Sequence, residues 1–347
     1  MAKRFEDEAA AWEYMEDLRW HGKPMCPHCG SENAFYLEPR TGEPRTTRKG
    51  TQSYRRVWKC KDCKRQFSCL VGTIFEGTKI PLSKWLMAIY LMCAGKNGVA
   101  ALELERDLDI TYKSAWHMVQ RIRLAMANTK GNRLAGVIVA DETFVGGNPA
   151  KMNNQRKPRR SLGPNSHDKK PVFTIVDKRT GEIRSQVVED VQTRTLRPSV
   201  DANVDKLGSI LYTDQGPQYT SIGRRFAKHH TVDHSASQWV DYETGATTNI
   251  AECYFGQLKR SIVGTHHGVA EEHLQRYVRE FDFRWNTCRD ADGERAMKLM
   301  DQTAGVKLSY SELIAEGPFA LGKWERPPGR PGPRQAGPQP LRLMTED

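Results

Sequence analysis

Four of the eight cysteines fall in two pairs of one spacing, Cys26-Pro-His-Cys29 and Cys60-Lys-Asp-Cys63. A Cys-x-x-Cys turn sets two thiolates about one tetrahedral centre, and two such turns close a four-sulfur site. Cys26, Cys29, Cys60 and Cys63 are therefore expected to hold one Zn2+. With no open coordination position that ion serves structure, not catalysis. Doubled pairs of this kind in a reducing compartment point to metal rather than disulfides. His28, inside the first turn, reads as a spectator.

A second set of residues carries different chemistry. Asp141 ends an apolar run that starts at Val137, and Asp214 ends another that starts at Ile210. A carboxylate at the end of a buried strand is costly unless something binds it. Glu252 lies near the start of a helical pattern that Thr248 or Asn249 can cap, with Ala251, Phe255, Leu258 and Ile262 as its buried stripe. Lys259 follows Glu252 by two helical turns, about 10.5 Å along the same face. Three carboxylates from two strand ends and one helix can hold two divalent ions about 3.5–4 Å apart. Oxygen ligands alone suit Mg2+ or Mn2+. Such a pair activates a water or a 3′-hydroxyl and stabilises the leaving oxygen of a displacement at phosphorus.

The charge agrees with a polyanionic partner. The net charge is +11 and the pI about 9.2. The excess is patchy: Leu37 to Arg65 holds ten Lys/Arg against three acids, and Lys151 to Lys170 seven against one. Blocks of this kind beside chemical motifs suggest a track for phosphates. At 38% hydrophobic and 27% charged residues the chain can fill a core and is not of disordered composition. No apolar run approaches a membrane span, and Met1 to Trp20 lacks a signal-peptide core, so a cytoplasmic, nucleoid-associated protein is expected.

These side chains need elements to position them. Residues 1–20 read as an amphipathic helix, and 21–70 as a ribbon whose hairpin runs through Phe35–Leu37 and Tyr54–Trp58. Between 80 and 130 three helices are predicted. Gly95 and Gly98 end the first, and Thr111 caps the third. The third helix carries Lys113, Arg121 and Arg123, so the unit fits either a DNA-reading helix-turn-helix or a plain packing unit. From 134 to 290 short β-branched runs alternate with helical patterns: Val137–Val139, Val172–Val176, Ile183–Val188, Ser209–Tyr212 and His230–Val232. That is an α/β domain, and its last helix is predicted over Glu271 to Asn286. The stretch Asn148 to Lys170 reads as a loop that orders on a partner. Its Arg156, Lys157, Arg159 and Arg160 are phosphate-contact candidates, as are Arg260 and His266, with packing the alternative for His266. Residues 291–325 form a C-terminal extension. In 326–347 nine of 22 residues are Pro or Gly, which predicts a disordered tail.

The motifs CPHCG (26–30), WKCKDCKRQF (58–67), ADETFVGG (140–147), YTDQGPQY (212–219) and TTNIAECYFGQLKR (247–260) resemble those of prokaryotic insertion-sequence transposases of the ISXO type. The resemblance spans roughly residues 5–290. It implies a ribonuclease H-like mixed sheet flanked by helices, preceded by a zinc ribbon and a small helical domain. It also implies Mg2+-dependent cleavage and transfer of DNA strands at element ends. Double-stranded DNA is the implied partner, and pairing two ends takes at least a dimer. Carried over by position, the catalytic residues are Asp141, Asp214, a third ligand and Lys259. For that third ligand Glu252 is favoured over Asn249, because an anionic oxygen binds Mg2+ better than an amide. A nuclease without strand transfer and a zinc-ribbon regulator without activity are the competing readings.

Overall fold

The computed structural model describes residues 7–39, 44–46, 50, 52–127, 131–146, 169–236, 238–309 and 312–313. In chain order the first elements are α1 (Glu8–Trp20), β1 (Ala34–Tyr36), β2 (Arg45–Thr46), β3 (Gln52–Ser53), β4 (Trp58–Cys60) and β5 (Gln66–Phe67). Asp7 caps α1, accepting from the Ala9 amide at 3.1 Å. Strands β1, β4 and β5 form an antiparallel sheet in which Ala34 pairs with Cys60 and Trp58 with Phe67. The predicted hairpin exists, with its second strand a few residues later than Tyr54–Trp58. The buried face of α1 carries Trp12, Met15 and Trp20, and Trp20 packs edge-on to both Trp58 and Phe67. Glu16 fastens α1 to β4, accepting from Trp58 Nε1 and Arg56 Nε at 2.7 Å each.

Three helices follow, α2 (Leu82–Ala94), α3 (Ala101–Leu108) and α4 (Tyr112–Met126). Pro81 at the start of α2 offers no side-chain cap. The cap comes from α1 instead: the Leu82 and Ser83 amides donate to the Glu8 carboxylate at 2.7 and 2.9 Å. Thr111 caps α4, as its sequence position predicted, and Asp109 turns the chain between α3 and α4 in the left-handed region at φ 48°. These helices share one core with α1 and the ribbon, including Cys26, Cys60, Trp85, Leu104 and Ile122.

The α/β part comprises β6 (Val137–Gly146), β7 (Lys169–Asp177), β8 (Ile183–Val187), α5 (Thr193–Asn203), β9 (Ile210–Asp214), α6 (Pro217–Gly223), β10 (Lys228–Val232), α7 (Asn249–Gly264), α8 (Glu271–Asn286) and α9 (Asp292–Asp301). The strand order is β10-β9-β6-β7-β8. Strands β6, β7 and β8 meander antiparallel, while β9 and β10 run parallel to β6. A mixed five-stranded sheet of this order, flanked by helices, is the ribonuclease H-like class that the resemblance implied, and it bears out the α/β pattern of the sequence. One face packs Val139, Val172 and Tyr212 against Ala251, Tyr254 and Leu258 of α7 and Leu274 and Val278 of α8. The Val and Leu side chains among these each contribute about 1.5–3 kcal/mol when fully buried. The other face packs Ile138, Ala140 and Leu211 against Leu196 and Val200 of α5 and Tyr219 and Ile222 of α6. Helix α9 returns to the N-terminal part and buries Ala296, Leu299 and Met300 in its core.

Candidate active site and metal centre

The four ribbon cysteines converge. Their Sγ atoms all lie within 4.8 Å of one another, with Cys26 to Cys63 at 3.6 Å and Cys29 to Cys60 at 3.7 Å. A tetrahedron with Zn–S bonds of about 2.3 Å has S···S edges of about 3.8 Å, so the donor set fits zinc. Gly30, at φ 77°, makes the turn behind the first pair, and its amide donates to the Cys26 carbonyl at 2.8 Å. Asp62 braces the second turn, accepting from Ser31 and, at 3.1 Å, from Asn33.

The carboxylates meet through strand register. Val137 pairs with Ile210 and Val139 with Tyr212, an offset of 73 residues. The same offset of 73 separates Asp141 from Asp214. The β6–β9 ladder stops at Val139 and Tyr212, so both acids lie just past the end of the paired parallel segment. Val139 and Tyr212 face α7, and a strand repeats its face every second residue, so Asp141 and Asp214 face α7 as well. Asp141 does not end its strand as the apolar run suggested. Strand β6 continues to Gly146, and Asp141 pairs with Thr174 of β7.

Burial, followed by the neighbouring charges of Glu142, Asp214 and Glu252, pushes the Asp141 carboxyl up to about 8. The Glu142 amide, donating to Asp141 Oδ1 at 2.8 Å, works against that rise. A carboxylate held this far from its ordinary range among other acids is a ready cation ligand. Among the described residues, only the four cysteines bring three or more His, Cys, Asp or Glu donor atoms within 4.8 Å of one another. The acids are thus coupled neighbours rather than a collapsed cluster, which suits negative groups lacking a counter-charge.

Glu252 sits in the first turn of α7, and its Oε1 accepts from the Thr248 hydroxyl at 3.3 Å. Asn249, the first residue of α7, is exposed. Lys259, two turns after Glu252, is held below the usual lysine range by partial burial and by Lys169, while Asp141 opposes that shift. The α7 face therefore brings Glu252 and Lys259 both within electrostatic reach of Asp141. Glu142 points to the other side of the sheet, accepting from Gln218 Nε2 at 2.8 Å and from the Tyr219 hydroxyl.

The basic candidates divide. Lys113 is exposed on the first turn of α4, and Arg260 is exposed on α7. Arg121 and Arg123 are corrections to the sequence reading. Arg121 is buried, donating to the Leu308 and Glu76 carbonyls at 3.0 and 2.7 Å. Arg123 is 1% exposed and paired with Glu280 of α8 at 2.6 Å. Neither is placed to meet a phosphate, because α4 packs on α2 and α3 along one side and on α8 along another. His266 takes the packing alternative that the sequence left open. It packs edge-on to Tyr277 at 4.8 Å, and burial, ahead of the repulsion from Arg123 and Arg284, pushes its imidazole down to about 4. Arg156, Lys157, Arg159 and Arg160 lie outside the described residues, as does the 326–347 tail.

Two residues near the site escaped the sequence reading. Lys169, the first residue of β7, lies within reach of Lys259. His234, two residues beyond β10, brings Nε2 to 3.5 Å from Glu252 Oε1. Val232 pairs with Asp214, so the chain leaving β10 emerges beside the carboxylates. Only the fold supplies that proximity.

A mixed sheet with two carboxylates just past its central parallel pairing, placed behind a four-cysteine ribbon, gives this chain a ribonuclease H-like fold with an N-terminal cysteine ribbon. Residues 133–286 match the ISXO2-like transposase domain, and residues 6–66 match the transposase zinc-ribbon domain. The chain thus carries an ISXO2-like transposase domain behind a transposase zinc-ribbon domain. It is 27% identical over 310 residues to a protein of the transposable element ISH50 of Halobacterium salinarum, itself described as uncharacterized. That similarity covers 87% of this chain and 98% of the relative. These family domains support a transposase role, and the four-cysteine cluster supports a structural zinc. Among the described residues, no helix is long and apolar enough to cross a membrane.

Proposed function

We propose that the protein binds the ends of an insertion element and catalyses metal-dependent cleavage and transfer of DNA strands there. The observation that carries this reading is the register that sets Asp141 alongside Asp214 on the sheet face covered by α7, with Glu252 and Lys259 turned to the same place. Asp141, Asp214 and Glu252 are the proposed ligands of two Mg2+ or Mn2+ ions, with Asn249 the alternative to Glu252. Ions about 3.5–4 Å apart supply an activated water or 3′-hydroxyl and a neutralised leaving oxygen. Carboxylates that span two ions need not converge on one point, so coupled but separated acids suit the task.

The chain's own residues do the rest. Asp141, protonated near neutral pH without a cation, gives up its proton when a cation binds. Lys259 and Lys169 place positive charge where the phosphate enters. Lys113 and Arg260 extend that charge over the surface, and Arg156, Lys157, Arg159 and Arg160 add to it from the loop. A recognition helix meets base edges with its first turn, so the exposed Tyr112 and Lys113 are the part of α4 suited to DNA. The functional divisions are proposed as 1–20, 21–70, 80–130, 134–290, 291–325 and 326–347. Residence on the nucleoid and action as at least a dimer complete the proposal.

Incubation of the zinc-loaded chain with labelled element-end DNA and Mg2+ tests it. Joined product supports the proposal. Cut product alone indicates a nuclease, and binding without either indicates a regulator.

A further inference from the structure

His234 lies in the short turn after β10, outside every motif that drew attention in the sequence. Its Nε2 stands 3.0 Å from the Thr248 hydroxyl and 3.5 Å from Glu252 Oε1. The Thr248 hydroxyl in turn donates to the same Glu252 oxygen at 3.3 Å. Nδ1 of the imidazole is buried without a hydrogen-bond partner among the described residues. The nitrogen that makes the bond is therefore Nε2. It donates its hydrogen to Thr248 Oγ1, leaving the Thr248 hydrogen for Glu252. Trp239 packs against the ring, with centroids 5.1 Å apart and the planes tilted by 48°. Both contacts fall on Oε1, which leaves Oε2 of Glu252 for a cation.

We propose that His234 is a positioning residue: through Thr248 it holds the Glu252 carboxylate in the orientation that ligates a divalent ion. This rests on the reading of Glu252 as a ligand. Groups that orient a ligating side chain typically change metal affinity by about 10–100-fold when removed. A free glutamate on the first turn of a helix has several rotamers, and the His234–Thr248 pair selects one of them.

The test is Mn2+ binding by the zinc-loaded full chain, followed by loss of the free-ion signal in electron paramagnetic resonance. His234→Ala should weaken Mn2+ binding by about 10-fold or more and raise the Mg2+ needed for half-maximal cleavage by a similar factor. His234→Gln, whose amide nitrogen can replace Nε2, should restore most of both. In a Glu252→Gln background His234→Ala should cost nothing further. Wild-type Mn2+ affinity in His234→Ala overturns the inference. So does failure of His234→Gln to restore binding, or a full additional loss in the Glu252→Gln background. If the wild type binds no more Mn2+ than Asp141→Asn, the metal reading itself falls, and this inference with it.

Discussion

Replacing Asp141 by asparagine should stabilise the protein while abolishing its activity. Burial and the neighbouring acids push the Asp141 carboxyl up to about 8. Between the ordinary carboxylate range and that value, the folded protein holds a proton that the unfolded chain releases. Stability without divalent cations must therefore fall as pH rises through this window. Ionising such a group at pH 8 costs at most about 5 kcal/mol. Water reaches part of the side chain, so about 2–3 kcal/mol is the working figure. The asparagine amide keeps an acceptor for the Glu142 amide, which donates to Asp141 Oδ1 at 2.8 Å in the native protein, and drops the charge. Thermal unfolding at pH 8 without Mg2+ should then occur about 4–10 °C higher in Asp141→Asn than in wild type, with the gap closing toward pH 5. Added Mg2+ should raise the wild-type midpoint and leave the variant where it was. A variant that unfolds at or below the wild-type temperature at pH 8 would show that Asp141 carries no such penalty.

Cys60→Ser should release the zinc, measured by metal analysis. Because Cys60 shares a core with α1 and α2, near-ultraviolet signals from Trp12, Trp20 and Trp58 should change while the mixed sheet stays folded. Glu280→Ala leaves the guanidinium groups of Arg123 and Arg284 buried without their carboxylate, and should cost about 3–5 kcal/mol in denaturant unfolding. Lys259→Ala should lower the cleavage rate without lowering Mn2+ binding. Neutralising Arg156, Lys157, Arg159 and Arg160 together should flatten the dependence of DNA affinity on salt, read from binding isotherms at several salt concentrations.

Much of the scaffold was legible because its signals are local. Thr111 stands before an apolar stripe and caps α4, and the 271–286 pattern is α8 to the residue. The five β-branched runs each became a strand of one sheet. The cysteine pairs were equally plain, since spacing alone sets two thiolates on one turn. Non-local pairing was hidden. The stripe Ala115, Val119, Ile122 and Met126 defines one face of α4, but nothing in the sequence says that α8 covers another. Arg123 therefore looked like a DNA contact, while its partner Glu280 lies 157 residues away. Burial alone raises Glu280, yet Arg123 and Arg284 hold it down to about 2, which keeps the pair charged inside the protein. The same closed joint takes His266, whose Nε2 lies 3.2 Å from where a side chain at Gly98 would begin. His234 could not be read at all, because its place beside Glu252 depends on the parallel register of β10 on β9.

If Asp141, Asp214 and Glu252 hold the metals that cut DNA, neutralising any one of them must stop the cut and spare the grip on DNA. Single-turnover cleavage of labelled element-end DNA in Mg2+ reads the first, and binding to the same DNA, measured alongside, reads the second. Asp141→Asn, Asp214→Asn and Glu252→Gln should each abolish cleavage while DNA affinity stays near wild type, and Asn249→Ala should retain activity. Loss of activity in Asn249→Ala with cleavage preserved in Glu252→Gln would transfer the third role to the asparagine. Wild-type cleavage by Asp141→Asn or Asp214→Asn would show that the metals, and the chemistry, lie elsewhere.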